Sequence, residues 1–169
     1  GDHQARRKMG FVPENFHFQE WLSGKKLLEY HGAMYKMERR QLNERIPVVL
    51  EMVNLLGRQE ERIELYDKGM QKRLGIASAL LPDPDLLFLD EPTLDLDPRG
   101  LKEIREIINN LRSHSKTVFL SSHLLTEVEM ACDYVALIKE GRILDQGRVA
   151  NFTKGKRVVN LRYEGSLSI

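Results

Sequence analysis

The stretch "LLFLDEPTLDLDP", residues 86–98, limits the possible folds more than any other part of the chain. Leu86 to Leu89 are apolar without alternation, as in a strand buried on both faces. The run ends at Asp90 and Glu91. A helix is predicted from Pro98, with Asp97 as its N-cap, Pro98 at the first helical position, and Leu101, Ile104, Ile107, Ile108 and Leu111 on one face. The order then repeats: a strand "TVFLSS" (117–122), a helix around Leu124 to Cys132, and a strand "YVALIK" (134–139). "GRILDQG" (141–147) reads as the hairpin partner of that last strand. Apolar strands separated by helices predict an α/β fold with a parallel sheet covered on both faces.

Upstream the pattern is mostly helical. "KMGFVPE" (8–14) is a short strand halted by Pro13. Leu27, Leu28, His31, Met34 and Tyr35 then recur at helical spacing behind Ser23, a plausible N-cap, and His31 reads as a packed or surface histidine. Residues 41–56 supply a second helix, with Pro47 at its start or a kink and Gly57 closing it. From Asp67 a third helix runs through Leu81 into a turn at 82–84. The final "KRVVNLRYEGSLSI" alternates like one more strand, and the basic clusters at 5–8 and 154–157 read as solvated surface.

Composition narrows the function. With 26 Lys plus Arg against 25 Asp plus Glu, the net charge of +1 calls for no polyelectrolyte partner; charge alone neither requires nor excludes nucleic acid, and none is expected as a partner. Cys132 is the single cysteine, so no intramolecular disulfide can form, and its apolar-periodic surroundings make it a small core residue. No apolar run approaches the roughly 18 residues that span a bilayer, so a membrane role would go through a partner.

Ligands of open parallel sheets gather at the carboxyl ends of the strands, where Asp90 and Glu91 stand. A carboxylate there can hold magnesium directly or through water, and a second can orient an attacking water for in-line transfer. The plainer alternative is that both cap the turn before Pro92.

Several motifs in a fixed order carry a resemblance to a known family over roughly residues 6 to 150: the chain is similar to the ATP-binding subunit of an ABC transporter. Asp90 corresponds to the Walker B aspartate and Glu91 to the catalytic glutamate. "LDLDP" matches the D-loop, with Asp97 as its aspartate. "LSSHLLTEVE" matches the switch region, with His123 as the γ-phosphate-sensing histidine. "YDKGMQKRL" (66–74) matches the ABC signature, and "GFVPEN" (10–15) the Q-loop. The resemblance implies a partial P-loop NTPase sheet with an inserted helical subdomain. It divides the chain into a core strand and Q-loop at 1–16, a helical signature subdomain at 17–81, a catalytic core at 82–150 and the start of a C-terminal extension at 151–169. It also implies ATP and Mg2+ as cofactors, with Asp90 and Glu14 toward the metal and Glu91 and His123 toward the reaction. Asp67, Lys68, Gly69, Met70, Gln71 and Asp97 would face nucleotide, with Gly69 opening the signature helix. The implied partners are a second nucleotide-binding subunit in a head-to-tail dimer and a transmembrane permease at the cytoplasmic face of the membrane, contacted near Trp21 to Tyr35.

Three departures from the family pattern stand out. Glu14 replaces the Q-loop glutamine, as in the drug- and polysaccharide-exporter branch, and could still approach magnesium through water. Asp67 stands at the signature serine: it caps a helix equally well, but sets a carboxylate toward a polyphosphate unless Lys68 compensates. Thirdly, the phosphate loop, Gly, four residues, then Gly-Lys and a hydroxyl residue, does not occur. The only Gly-Lys pairs, Gly24-Lys25 and Gly155-Lys156, are preceded five positions earlier by Gln19 and Ala150 and followed by Lys26 and Arg157. "LSGK" (22–25) imitates a signature but reads as Ser23 capping a helix.

The expectation is therefore the C-terminal part of an exporter-type ABC ATPase, with on the order of 30 residues of strand, loop and helix belonging upstream. A non-catalytic module that docks to a membrane partner or homodimerises is the first alternative. The second is a soluble ABC ATPase acting on ribosomes or DNA, whose paired cassettes or coiled-coil insertion are not seen here.

Overall fold

A computed structural model describes residues 8–153, which fall into two compact units parting between Leu125 and Thr126. The first contains β1 (Met9–Val12), α1 (Gly24–Met34), α2 (Arg39–Met52), a 3-10 turn (Ile63–Leu65), α3 (Lys68–Leu80), β2 (Leu86–Asp90), α4 (Pro98–Ser113) and β3 (Thr117–Ser121). Its three strands lie in the order β1-β2-β3 and are all parallel.

The helix starts follow local chemistry. The Ser23 hydroxyl accepts from Lys26 N, the Asp67 carboxylate from Met70 N and the Asp97 carboxylate from Gly100 N. The signature-like helix thus begins at Lys68, one residue before the Gly69 expected to open it. The helix ends differ more. α2 stops at Met52, where Leu55 N donates to Leu50 O and Asn54 N to Glu51 O, a Schellman closure with Asn54 left-handed at φ 54°. Gly57, expected to end that helix, lies five residues beyond it in a turn at φ 96°. Pro47 sits inside α2.

Leu27, Leu28, Val49, Leu50, Ile63 and Leu74 are fully buried among α1, α2, the 3-10 turn and α3. His31, on α1, lies with its Nδ1 2.5 Å from the hydroxyl of Ser78 on α3. α3 also lies against the sheet: a Cβ added to Gly10 would stand 2.8 Å from Ala79 O. α4 buries Ile104, Ile107, Ile108 and Leu111 as expected, with Leu101 half-buried at its margin.

The sheet itself departs from expectation. One face, carrying Gly10, Val12, Leu87 and Leu89, is buried. On the other, register aligns Phe11, Phe88 and Phe119 in one row, with Phe11 64% and Phe119 59% exposed. A continuous apolar run predicted cover on both faces, and among the described residues cover lies on one.

The second unit contains α5, which begins at Leu125 and runs to Ala131, then β4 (Tyr134–Lys139), β5 (Arg142–Arg148) and α6 (Val149–Thr153). β4 and β5 form the expected hairpin, antiparallel and turned by Glu140-Gly141, both at positive φ (50° and 73°). Cys132 is half-buried rather than core, and burial followed by the neighbouring Asp133 raises its thiol pKa. The strand expected in residues 156–169 and the basic cluster at 154–157 lie outside the described residues, as does the cluster at 5–8 apart from Lys8, which pairs with Asp85 at 3.0 Å.

Candidate functional site

β2 delivers Asp90 to the carboxyl edge of the sheet, in register with Ser121 of β3. Ser121 Oγ donates to Asp90 Oδ1 at 2.6 Å. The chain then turns sharply, and Glu91 takes the left-handed conformation at φ 43°. A non-glycine residue adopts that region at a cost of order 1 kcal/mol, so neighbouring groups must hold it there. Glu91 N donates to Ser121 O and Oγ, both at 3.2 Å. Glu91 O accepts from Leu94 N at 3.2 Å and from Lys72 Nζ at 3.2 Å.

His123 follows β3 on the same edge. Its Nδ1 lies 3.1 Å from Glu91 Oε2, with the Glu91 side chain 19% exposed and the imidazole 60% exposed. A carboxylate only accepts, so the ring carries a proton on Nδ1. Nε2 then donates to a further anion only when the ring is doubly protonated. Asp90, Glu91 and His123, expected together, are brought together.

Glu14 stands in the loop after β1. Its carboxylate accepts from Asn15 Nδ2 at 3.2 Å, while its carbonyl accepts from Lys72 Nζ at 2.7 Å. No group of three or more His, Cys, Asp or Glu placed to share a metal occurs among the described residues.

The starts of α3 and α4 converge on a hollow of about 380 Å3, lined in part by Asp67, Lys68, Gly69, Asp97, Arg73 and Arg99. One oxygen of Asp67 is turned back onto Met70 N at 2.7 Å and one of Asp97 onto Gly100 N at 2.8 Å. Lys68 does not neutralise Asp67 by pairing with it: its ammonium lies 3.3 Å from Asp95. Gln71 Nε2 donates to Tyr66 O at 3.3 Å, and the Met70 side chain is buried.

Residues 1–94 match the family described as ABC transporter, more than half of the chain. The chain belongs to that family. It is 38% identical over 152 residues to an uncharacterized ABC transporter ATP-binding protein of Synechocystis sp., covering 89% of this chain and 43% of that protein. It is 35% identical over 145 residues to the Nod factor export ATP-binding protein I of Cupriavidus metallidurans, covering 86% of this chain and 48% of that one. It thus spans less than half the length of both. Among solved structures, cbiO1 of Clostridium perfringens, part of the ABC transporter complex cbiONQ, superposes with a TM-score of 0.78 at 26% identity, over 87% of this chain and 59% of that one.

Members of the ABC family bind ATP and Mg2+, and the residues present fit one part of that ligand. Mg2+ typically takes one or two carboxylates from the protein and completes its shell with water and phosphate oxygens. Asp90, with the Ser121 hydroxyl bonded to it, offers one hard-oxygen donor of that kind at the carboxyl edge of the sheet. The sequence contributes no Gly-x4-Gly-Lys cradle for the phosphates.

Two residues of this ABC domain are given no role by the sequence. Arg73, 8% exposed, donates to Asn54 O at 2.9 Å and Val53 O at 3.3 Å, and approaches Glu103 at 3.4 Å. Lys72 joins the carbonyls of Glu14 and Glu91. Both fall inside the "YDKGMQKRL" match, which assigns neither of them a role. Among the described residues no helix is long and apolar enough to cross a membrane.

Proposed function

We propose that this chain supplies the metal-and-water side of the ATP-hydrolysing site in the ATP-binding subunit of an ABC-type exporter. The observation carrying the reading is the pairing of Glu91 with His123 at 3.1 Å beside Asp90 and Ser121 at 2.6 Å, on one edge of a parallel sheet. Asp90 holds the metal, with Glu14 approaching it through water. With one Glu91 oxygen engaged by His123, the other accepts from the attacking water and draws off proton density as the phosphoryl bond breaks. His123 faces a γ-phosphate oxygen at the same edge. Bound magnesium supplies charge neutralisation on the transferring phosphoryl group.

Residues 67–71 and Asp97 face nucleotide held by a second subunit in a head-to-tail dimer. The segment from Trp21 to Tyr35 meets a transmembrane permease, which keeps the subunit at the cytoplasmic face of the membrane. Trp21, Tyr30 and Met34 are 70%, 53% and 67% exposed, as a docking segment requires. Export as the direction is supported by the name of the Cupriavidus relative.

The test is ATP turnover by the complete gene product. Glu91→Gln is expected to lower kcat by at least about 100-fold with nucleotide affinity kept; turnover at the unmodified rate would refute the reading. This chain by itself is expected to bind Mg-ATP no tighter than about 100 μM in titration calorimetry.

A further inference from the structure

We propose that Lys72 is a positioning residue that fixes the backbone of Glu91, and hence its carboxylate against His123, by tying together α3, the loop after β1 and the turn after β2. Its ammonium donates to Glu14 O at 2.7 Å and to Glu91 O at 3.2 Å, and stands 5.7 Å from the centre of the Phe16 ring. The two carbonyls belong to segments 77 residues apart in sequence, and the lysine comes from a third. Both bonds end on main-chain carbonyls, so Lys72 determines where the backbone runs.

The side chain is costly to place there. Burial pushes its pKa down, opposed in turn by Glu14, Asp95, Glu91 and Asp90. A helix-surface lysine free to reach water would bear no such cost, and the two carbonyls are what it gains in exchange.

Glu91 is the residue in this cluster whose backbone most needs holding, at φ 43°. On its amide side β3 supplies two acceptors at Ser121; on its carbonyl side Leu94 N and Lys72 are the donors. Leu94 travels with the same turn. Lys72 is thus the donor that anchors the carbonyl side to a separate element. A displacement of α3, or of the loop at 13–16, would reach the Glu91–His123 pair through this one ammonium.

That the pair does chemistry rests on the function proposed above; that Lys72 positions it does not, and the experiment separates the two. Lys72→Met and Lys72→Arg are compared with the unmodified chain by 15N NMR of the His123 ring and by hydrogen exchange at the Glu91 amide. Lys72→Met is expected to shift His123 from the Nδ1–H toward the Nε2–H form and to speed exchange at Glu91 about tenfold, the equilibrium worth of one hydrogen bond. The amides of Leu87 and Leu89 should keep their protection, and Lys72→Arg should keep the native signals. If Lys72→Met does not fold, Lys72→Gln, too short to reach both carbonyls, is read in its place. A native His123 tautomer and native Glu91 exchange in the neutral variant overturn the proposal. In the complete gene product, loss of kcat at unchanged KM supports both ideas. Altered NMR signals with unaltered turnover leave Lys72 as the positioning residue and count against the hydrolytic role of the pair.

Discussion

Replacing Arg73 by methionine is expected to cost about 3–5 kcal/mol. Methionine keeps most of the apolar stem, so the loss is chiefly polar. Two bonds from the guanidinium, to Asn54 O at 2.9 Å and Val53 O at 3.3 Å, hold the end of α2 where Val53 is fully buried. A hydrogen bond from a charged donor contributes about 1.5–3 kcal/mol, and a carbonyl stranded by its removal adds its own desolvation. The contact with Gly69 O at 3.4 Å is long, and Glu103 retains Arg99 at 3.1 Å, so neither adds much. Urea unfolding followed by circular dichroism measures the difference, with a fall in Tm of about 10 °C as the thermal counterpart. Glu103→Gln, which leaves the carbonyl bonds intact, is expected to cost about 1 kcal/mol or less. An Arg73→Met variant within about 1 kcal/mol of the unmodified chain would refute the reasoning, as would equal losses in both variants.

At the start of α3, Asp67→Ala should cost about 1 kcal/mol of stability and Asp67→Ser only a few tenths, since both Asp and Ser cap helices well. Under the proposed function Asp67→Ser in the complete gene product should also strengthen nucleotide-driven dimerisation, measured by light scattering; no change would remove the repulsion argument. His31 offers a pH test. Burial lowers its pKa from the ordinary 6.5, so below that value the unfolded chain binds more protons than the folded one. Stability should therefore fall as pH drops from about 6.5 through the lowered value and then level off, a limb that His31→Gln abolishes in urea midpoints taken between pH 7.5 and 5. Asp83, held below 3.8 chiefly by Lys116, contributes stability that is lost only at still lower pH, which keeps the two windows apart.

What could be read from the sequence was local. β2, the α4 face and the caps at Ser23, Asp67 and Asp97 follow from periodicity and from side chains bonding their own helix three residues on. The helix ends resisted reading because three close in Schellman fashion on Lys36, Asn54 and Ser115, at φ 59°, 54° and 58°, where a glycine would have been the recognisable sign. Apolar periodicity also outlasts α2: Val53 and Leu55 are buried in the loop after it, which made the helix look longer. The position of Asp90 and Glu91 at the carboxyl end of β2 was legible because an unalternated apolar run stops at them. Lys72 and Arg73 were not, because their acceptors are backbone carbonyls 19 to 58 residues away, and a carbonyl carries no sequence signature. The exposure of Phe11 and Phe119 was hidden for the opposite reason: an exposed phenylalanine is spelled like a buried one.

The row Phe11, Phe88 and Phe119 makes the melting point of this sheet a joint property of the chain and its surroundings. A molecule lying across those rings in the folded state, with no hold on the unfolded one, adds RT ln(1 + [L]/Kd), about 2.7 kcal/mol at a hundred times its Kd. Tm should then climb with the concentration of the covering molecule, or of the chain itself if copies cover one another. A thermal scan of this unit is therefore also a titration, and a dilution series reads out occupancy of the face.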